Sequence, residues 1–326
     1  MAFPAWGVGG FGLAILLLIA LPCIVTLPWS LQRYDVQNMQ VDEHGRRLDP
    51  MRPPSAAEPL GSDKLGRSLL WRLLLGGAIS LGIGASSAAI AVIIGVTWGA
   101  IAGYVGGRVD AIMMRTVDVL YGLPYILLVV LVSIALNPMF DRLALMVFEQ
   151  RVATQVAPIV TLLVAIGGVS WLTMARVIRG QVLSLRNQPF VEAARACGTG
   201  PIRILCSHLL PNLIGPIVVY TTLTVPQAIL QESFLSFLGI GVKEPLPSWG
   251  NLASEGLESL QAFLATGRRG PEMGLSAGGL GNGQTNFQSG WWLLWWPCLA
   301  LGLTLMSLNF LGDALRARLD PRRMKT

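Results

Sequence analysis

Six apolar runs, each near the length at which a helix can cross a bilayer, restrict this chain more than any other feature of its sequence. About 20 residues rising 1.5 Å each span a hydrocarbon core of roughly 30 Å. The runs predict membrane helices near residues 11–29, 78–103, 117–136, 157–176, 213–235 and 291–312. Composition agrees: 53% of the 326 residues are hydrophobic and 13% charged, against about 25% charged in soluble domains. The expected fold class is therefore all-α and polytopic, with six transmembrane helices. Membrane lipid is the partner such a surface requires, and nucleic acid is not expected.

The first run, Gly12 to Leu27, has the length of a secretory leader. A leader opens on positive charge and ends at small residues. Here the preceding MAFPAWGVGG contains no Lys or Arg, and Leu21-Pro22-Cys23 lacks small residues before the cysteine. The run is read as a first anchor. Four cysteines (Cys23, Cys197, Cys206, Cys298) and two histidines (His44, His208) are scattered without metal-ligand spacing, which argues against a zinc site or a disulfide framework. Pro216, Pro226, Gln227 and Gln231 interrupt the fifth helix. Such a helix is expected to face protein or a water-filled path, where its freed backbone groups find partners.

Short, acid-poor connections carry Arg108 and Arg115, then Arg176, Arg179, Arg186, Arg195 and Arg203, and Arg316, Arg318, Arg322, Arg323 and Lys325 follow the last helix. Basic residues in short connections mark the cytoplasmic side, while long loops cross largely regardless of charge. Both termini are thus expected in the cytoplasm, with external segments at Ser30 to Gly77, Asn137 to Val156 and Ser236 to Gly290. Closely spaced glycines from Gly267 to Gly283 predict a flexible external insertion over about 262–289, without a core of its own. The expected organisation is an anchor and external loop over 1–77, a core with five further helices over 78–320, and a tail over 321–326.

Two patterns inside the helices carry weaker signals. Gly95, Gly99 and Gly103 recur every four residues and form a seam for close helix approach, either within a translocation bundle or as a generic contact. Trp291, Trp292, Trp295 and Trp296 open the sixth helix. They suggest an aromatic or carbohydrate ligand site, or, as the favoured reading, the belt of tryptophans common at membrane interfaces.

The most informative stretch is the connection 186–212, RNQPFVEAARACGTGPIRILCSHLLPN. Pro189 suits a first helical position, Glu192 lies near the positive end of the helix dipole, and Gly198 stands where a left-handed C-terminal residue is needed. Thr199 offers a cap, Pro201 a second start, and Pro211-Asn212 a return to the membrane. On the first helix Val191, Ala194 and Arg195 share one side, read as exposed. An interfacial amphipathic helix would show a similar mix. Small residues at Ala193, Ala194 and Ala196 fit insertion into a protein groove better.

Glu192-Ala193-Ala194, Gly198 and Leu210-Pro211, at this spacing, resemble the "EAA" loop of permease subunits in bacterial ATP-binding-cassette (ABC) importers. His208 before Leu210-Pro211-Asn212 resembles the peptide and nickel branch of that family, whose C-type subunit is matched by three further stretches and the tail. These are Leu60 to Arg67 with Arg72, Gly103 to Gly107 with Asp110 and Asp118, Ser233 to Gly239 with Pro247 to Asn251, and Asn309 to Asp313 with Leu319 to Arg322. Two regions look longer than the family pattern, Val41 to Pro53 and Ala262 to Ser289.

The resemblance implies the type I ABC importer permease fold, in a bacterial inner membrane. It also implies four kinds of statement about function. This chain is no enzyme, and ATP and Mg belong to partner subunits, with no cofactor on the chain itself. Its partners are a second permease in a heterodimer, two ATP-binding subunits and an external solute-binding protein. Glu192, Ala193, Ala194, Arg195, Gly198, Leu210 and Pro211 couple it to the ATPase. The cargo, whether dipeptide, oligopeptide, nickel or another solute, stays open. The absence of a G-x-x-x-x-G-K-[ST] phosphate loop is in keeping with that division of labour.

An ion-coupled secondary transporter is the alternative, and it would place acids within the membrane. Asp118 and Asp313 fall near helix ends. Glu232, with Gln227 and Gln231, is a candidate for the translocation path; for Glu232 a boundary position facing water is favoured, since a charge at a helix end is tolerated more easily than one at the bilayer centre. A membrane-embedded enzyme is disfavoured, because His44 and His208 are expected on opposite sides.

Overall fold

The computed structural model describes residues 5–38, 51–56, 58–267 and 290–319. These form helices α1 (Ala5–Val25), α2 (Leu27–Arg33), α3 (Leu69–Val105), α4 (Gly107–Tyr121), α5 (Tyr125–Val147), α6 (Gln150–Leu185), α7 (Pro189–Ala196), α8 (Pro201–Ile204), α9 (Leu210–Phe237), α10 (Trp249–Gly267) and α11 (Trp291–Leu319), with a π turn over Leu205–Leu209. Among the described residues five helices are long and apolar enough to cross a membrane, or six when the bent pair α1–α2 is one span. That bend is 59°. It falls at Thr26, two residues before Pro28, which cannot donate the backbone bond that a continuous helix would require there.

The third span differs from expectation. No helix runs over 117–136: α4 ends at Tyr121 and α5 starts at Tyr125. Pro124 disfavours helical geometry at Leu123 and supplies no N–H, so the chain breaks there. α5 then continues to Val147 and α6 begins at Gln150, which leaves only Phe148 and Glu149 of the expected external segment Asn137 to Val156 outside helices. The two form a tight antiparallel hairpin packed through Ala144, Ala153 and Ala157 against Phe140.

The chain divides into two compact units, one of residues 1–18, 81–232 and 303–326, the other of 19–80 and 233–302. The larger is framed by α3 and α6. A Cβ at Gly95 would meet Met174 and the Trp171 carbonyl, one at Gly99 the Ala175 carbonyl and Ile178, and one at Gly103 the Arg179 carbonyl and Val182. The glycine seam is therefore a contact between these two helices, where lack of side chains lets backbones approach. Gly167 of α6 returns the contact against Ile90 and the Ser87 carbonyl.

The smaller unit has its own core, with Leu69, Leu252, Trp292 and Leu293 buried together and Met51, Leu60, Leu73 and Trp296 packed around them. The packed part of α10 (Trp249, Leu252, Ala253) precedes the expected insertion; the last turns of the helix take in 262–267, and 268–289 lie outside the described residues. Most of the long polar stretch Val41 to Pro53 lies outside them too. The tryptophans divide by role. Trp291 and Trp295 are exposed, as an interfacial belt requires, while Trp292 is buried and donates to the Ser62 carbonyl at 3.3 Å.

The same unit holds a buried ion cluster. Arg72 donates to both oxygens of Glu255 at 2.6 and 2.8 Å and to Asp63 at 2.7 Å. Asp63 also accepts from the Arg67 side chain at 2.6 Å and from the Leu65 and Arg67 backbone at 2.9 and 2.8 Å. Arg72 is fully buried and Asp63 is 1% exposed. Removing Arg72 leaves Glu255 without its bidentate partner and the buried Asp63 with Arg67 alone, an uncompensated arrangement that costs about 3–5 kcal/mol. The exposed Lys64–Glu258 pair at 3.4 Å offers a control worth about 0–1 kcal/mol. Thermal unfolding of the detergent-purified chain should show a large drop in midpoint for Arg72→Met and almost none for Lys64→Ala; equal shifts would contradict the assignment.

Candidate functional site

The loop after α6 is built from local rules and then locked by packing. Pro189 opens α7 after an extended Gln188, at the position where a missing N–H costs nothing. Glu192 lies in the first turn and Arg195 in the last, each with favourable sign for the helix dipole. The helix ends in paired bonds, Thr199 N–H to the Ala194 carbonyl at 3.0 Å and Gly198 N–H to the Arg195 carbonyl at 2.9 Å, with Gly198 at φ +75°. This is the Schellman ending, which needs a left-handed residue at that place.

One local expectation is corrected. The cap of α8 is Gly200, in extended conformation, so Thr199 does not serve there. Pro211 lies inside a continuous helical span that runs from Pro201 to Phe237. The π turn explains how. Within it the Leu210 N–H bonds the Leu205 carbonyl, five residues back, and the wider turn precedes a proline that could not have bonded the carbonyl four residues earlier.

The faces of α7 are also opposite to expectation at two positions. Val191 is fully buried and Ala194 partly so, packed in one cluster with Val96 and Ala100 of α3, Ile178 and Val182 of α6, and Ile204, Leu209 and Leu213 on the far side of the loop. Burying the branched side chain gains more than burying alanines, so Val191 turns inward. Glu192, Ala193, Arg195, Ala196 and Gly198 are exposed, as are Leu210 and Pro211. Phe190 at 41% and Ile202 at 78% exposure join that surface, and the sequence reading missed both. A large apolar residue left outward on each short helix was the available signal.

Charges tie the loop's base together. Arg186 donates to the Gly103 carbonyl at 3.0 Å, and the Arg195 guanidinium lies 5.7 Å from the centre of the Tyr104 ring. Arg179 of α6 grips Asp110 of α4 through two bonds of 2.5 and 2.6 Å. The bond from Arg179 holds the Asp110 carboxyl below the usual carboxylate range. Arg176 pairs with Asp118 at 2.8 Å and stacks over Tyr121 at 4.0 Å.

Elsewhere in the larger unit α5, α6 and α9 enclose a cleft whose largely apolar wall carries several polar side chains. One cavity of about 460 Å³ and another of about 140 Å³ share Tyr125, Thr173, Gln227 and Gln231 as lining. Tyr125 donates to Gln231 Oε1 at 2.8 Å and lies 2.8 Å from Ser170 Oγ. Two of the three sequence candidates for the path therefore meet here, and Glu232 does not join them. It is fully buried, on the α9 face of Ala228 and Ile229, so the water-facing reading of Glu232 was wrong. One residue along a helix is about 100° of rotation, which separates Gln231 from Glu232. Tyr125 and Ser170 escaped the sequence reading because each is a single polar residue in an apolar run.

Helices of this length and composition, together with the loop, define a polytopic helical membrane protein. A family profile, the binding-protein-dependent transport system inner membrane component, matches residues 95–325. The chain is 39% identical over 270 residues to the dipeptide transport system permease protein DppC of Bacillus subtilis, covering 83% of this chain and 70% of that one. It is 35% identical over 314 residues to the oligopeptide transport system permease protein OppC of the same organism, covering 96% and 85%. With OppC of Escherichia coli the identity is 38% over 310 residues, covering 95% and 85%. The chain belongs to the family of binding-protein-dependent transport system inner membrane components. It is an ABC importer permease of type I fold, a multi-pass inner-membrane subunit of a multi-component system.

A group whose folded value is depressed contributes stability that is present above the unfolded value and lost as pH falls through the folded one. Asp110 should thus support the α4–α6 contact across neutral and mildly acidic pH and cease to do so only below the usual carboxylate range. In detergent, Asp110→Asn should lower the unfolding midpoint by a constant amount at pH 6 to 8, with the gap to the parent chain closing toward strong acid. A gap that widens on acidification would contradict this sign.

Proposed function

We propose that this chain forms part of the translocation path of a peptide importer and takes its power stroke through the loop 186–212 from a separate ATPase. The observation that carries the reading is the double character of α7. Outward it presents Glu192, Ala193, Arg195 and Ala196 with Phe190 and Ile202 beside them; inward Val191 enters a core shared with α3, α6 and α9. A partner groove that takes the outer face would push on a rigid inner anchor, and close-packed side chains transmit such displacement with little slack.

In this reading Leu210 and Pro211 are exposed at the root of α9 and complete the coupling surface, and Gly198 fixes the angle between α7 and α8. ATP and Mg are held by two partner ATPase subunits, and this chain holds no cofactor. A second permease closes the path, an external solute-binding protein delivers cargo, and both termini face the cytoplasm. Relatives named for dipeptides and oligopeptides support a peptide cargo. Gln227 and Gln231 are assigned to the path, and the buried Glu232 is not.

The test is co-purification of the tagged chain from its native host. Left-handed backbone costs a residue with a Cβ roughly 1–2 kcal/mol, and more for a β-branched one. Gly198→Ala should reduce recovery of the ATP-binding subunits and peptide uptake several-fold, and Gly198→Val should nearly abolish both. Unchanged recovery with Gly198→Val would remove the loop from the coupling role.

A further inference from the structure

The cleft between α5, α6 and α9 has a largely apolar wall that carries polar but no charged groups: among the described residues, no Asp, Glu, Lys, Arg or His lines either cavity. Its polar groups are ordered. Tyr220, Thr224, Gln227 and Gln231 follow one another on α9 at intervals of four, three and four residues, so they form one stripe. At 1.5 Å per residue the stripe is roughly 16 Å long, the length of about five residues of extended peptide. One end is held in place. The Tyr125 hydroxyl donates to Gln231 Oε1 and, with its one hydrogen so used, accepts from Ser170 Oγ at 2.8 Å. With the oxygen of the Gln231 amide occupied by Tyr125, the amino group of the same side chain is left to donate into the cleft.

We propose that this stripe is a hydrogen-bonding track for the backbone of the passing peptide, with Gln231 as its fixed donor and Tyr125 and Ser170 as positioning residues. Side-chain amides and hydroxyls offer both donors and acceptors, and every peptide bond supplies one of each. Reading these groups, and none of the cargo's charges, lets one path serve acidic, neutral and basic peptides alike. An ionised lining residue would instead attract one class and repel another over several ångströms in a low-dielectric path. The inference rests on the proposed importer role and adds the chemistry by which cargo is met inside the membrane.

The experiment uses the whole transporter reconstituted in vesicles, with its ATPases, second permease and binding protein, and two labelled tripeptides, Ala-Lys-Ala and Ala-Glu-Ala. Because the binding protein is unaltered, a change in the uptake ratio on mutation reports on the path. Gln231→Glu should shift the ratio about tenfold toward Ala-Lys-Ala, while Tyr125→Phe should lower uptake of both peptides equally and leave ATPase co-purification intact. In parallel, Gln227→Cys and Thr224→Cys, in a chain whose four native cysteines are alanine, should react with a water-soluble maleimide and be protected by either tripeptide. An unchanged ratio, or cysteines that stay unreactive because a partner helix covers them, would overturn the track while leaving the importer reading intact. Wild-type complex that holds its ATPases yet takes up neither tripeptide would overturn the peptide cargo, and loss of ATPase recovery from the wild type would overturn the importer reading itself.

Discussion

Close approach of α3 and α6 is the contact on which the larger unit depends. Lipid offers no hydrophobic gain for joining two apolar helices, so association must come from backbone proximity and dense van der Waals packing. Gly95, Gly99 and Gly103 provide that proximity by removing side chains where Met174, the Ala175 carbonyl and Val182 press in. The same two helices carry Val96, Ala100, Ile178 and Val182, which form the floor on which Val191 of α7 sits. A loop of two short helices would have little intrinsic stability. It is held by this floor.

The smaller unit solves a different problem. Its chain is irregular over residues 58–68, and irregular backbone needs partners. Asp63 supplies acceptors to two backbone N–H groups and to Arg67 and Arg72, and Glu255 of α10 completes the set. Buried ionic groups contribute little net energy, yet they penalise every arrangement that leaves one of them alone. The cluster therefore selects a single docking of α10 on the start of α3.

Function draws on both kinds of construction. The outer face of α7 combines small residues with a charge of each sign, and its inner face is anchored in the membrane helices. Among the described residues the cleft is lined by neutral groups, and Tyr125 donates a hydrogen bond to the Gln231 amide oxygen. In each case a residue exposed to a partner or a cleft is backed by one that is buried or hydrogen-bonded.

By itself the sequence determined the helical membrane class, the short α7 between Pro189 and Gly198, the glycine seam and the family, because each depends on local periodicity, backbone rules or spacing along the chain. Tertiary structure decided which side of α7 is free. Periodicity groups Val191 with Ala194 but does not say whether that face meets solvent or the side chains of Ile178 and Leu213, contributed from elsewhere in the chain. It also decided that Glu232 is buried while Gln231, next to it, lines a cleft, since the helices that surround α9 and not its own hydropathy set the two environments. The ion cluster of Asp63, Arg72 and Glu255 is a third case: its last pair is separated by 183 residues, and only folding brings them to hydrogen-bond distance.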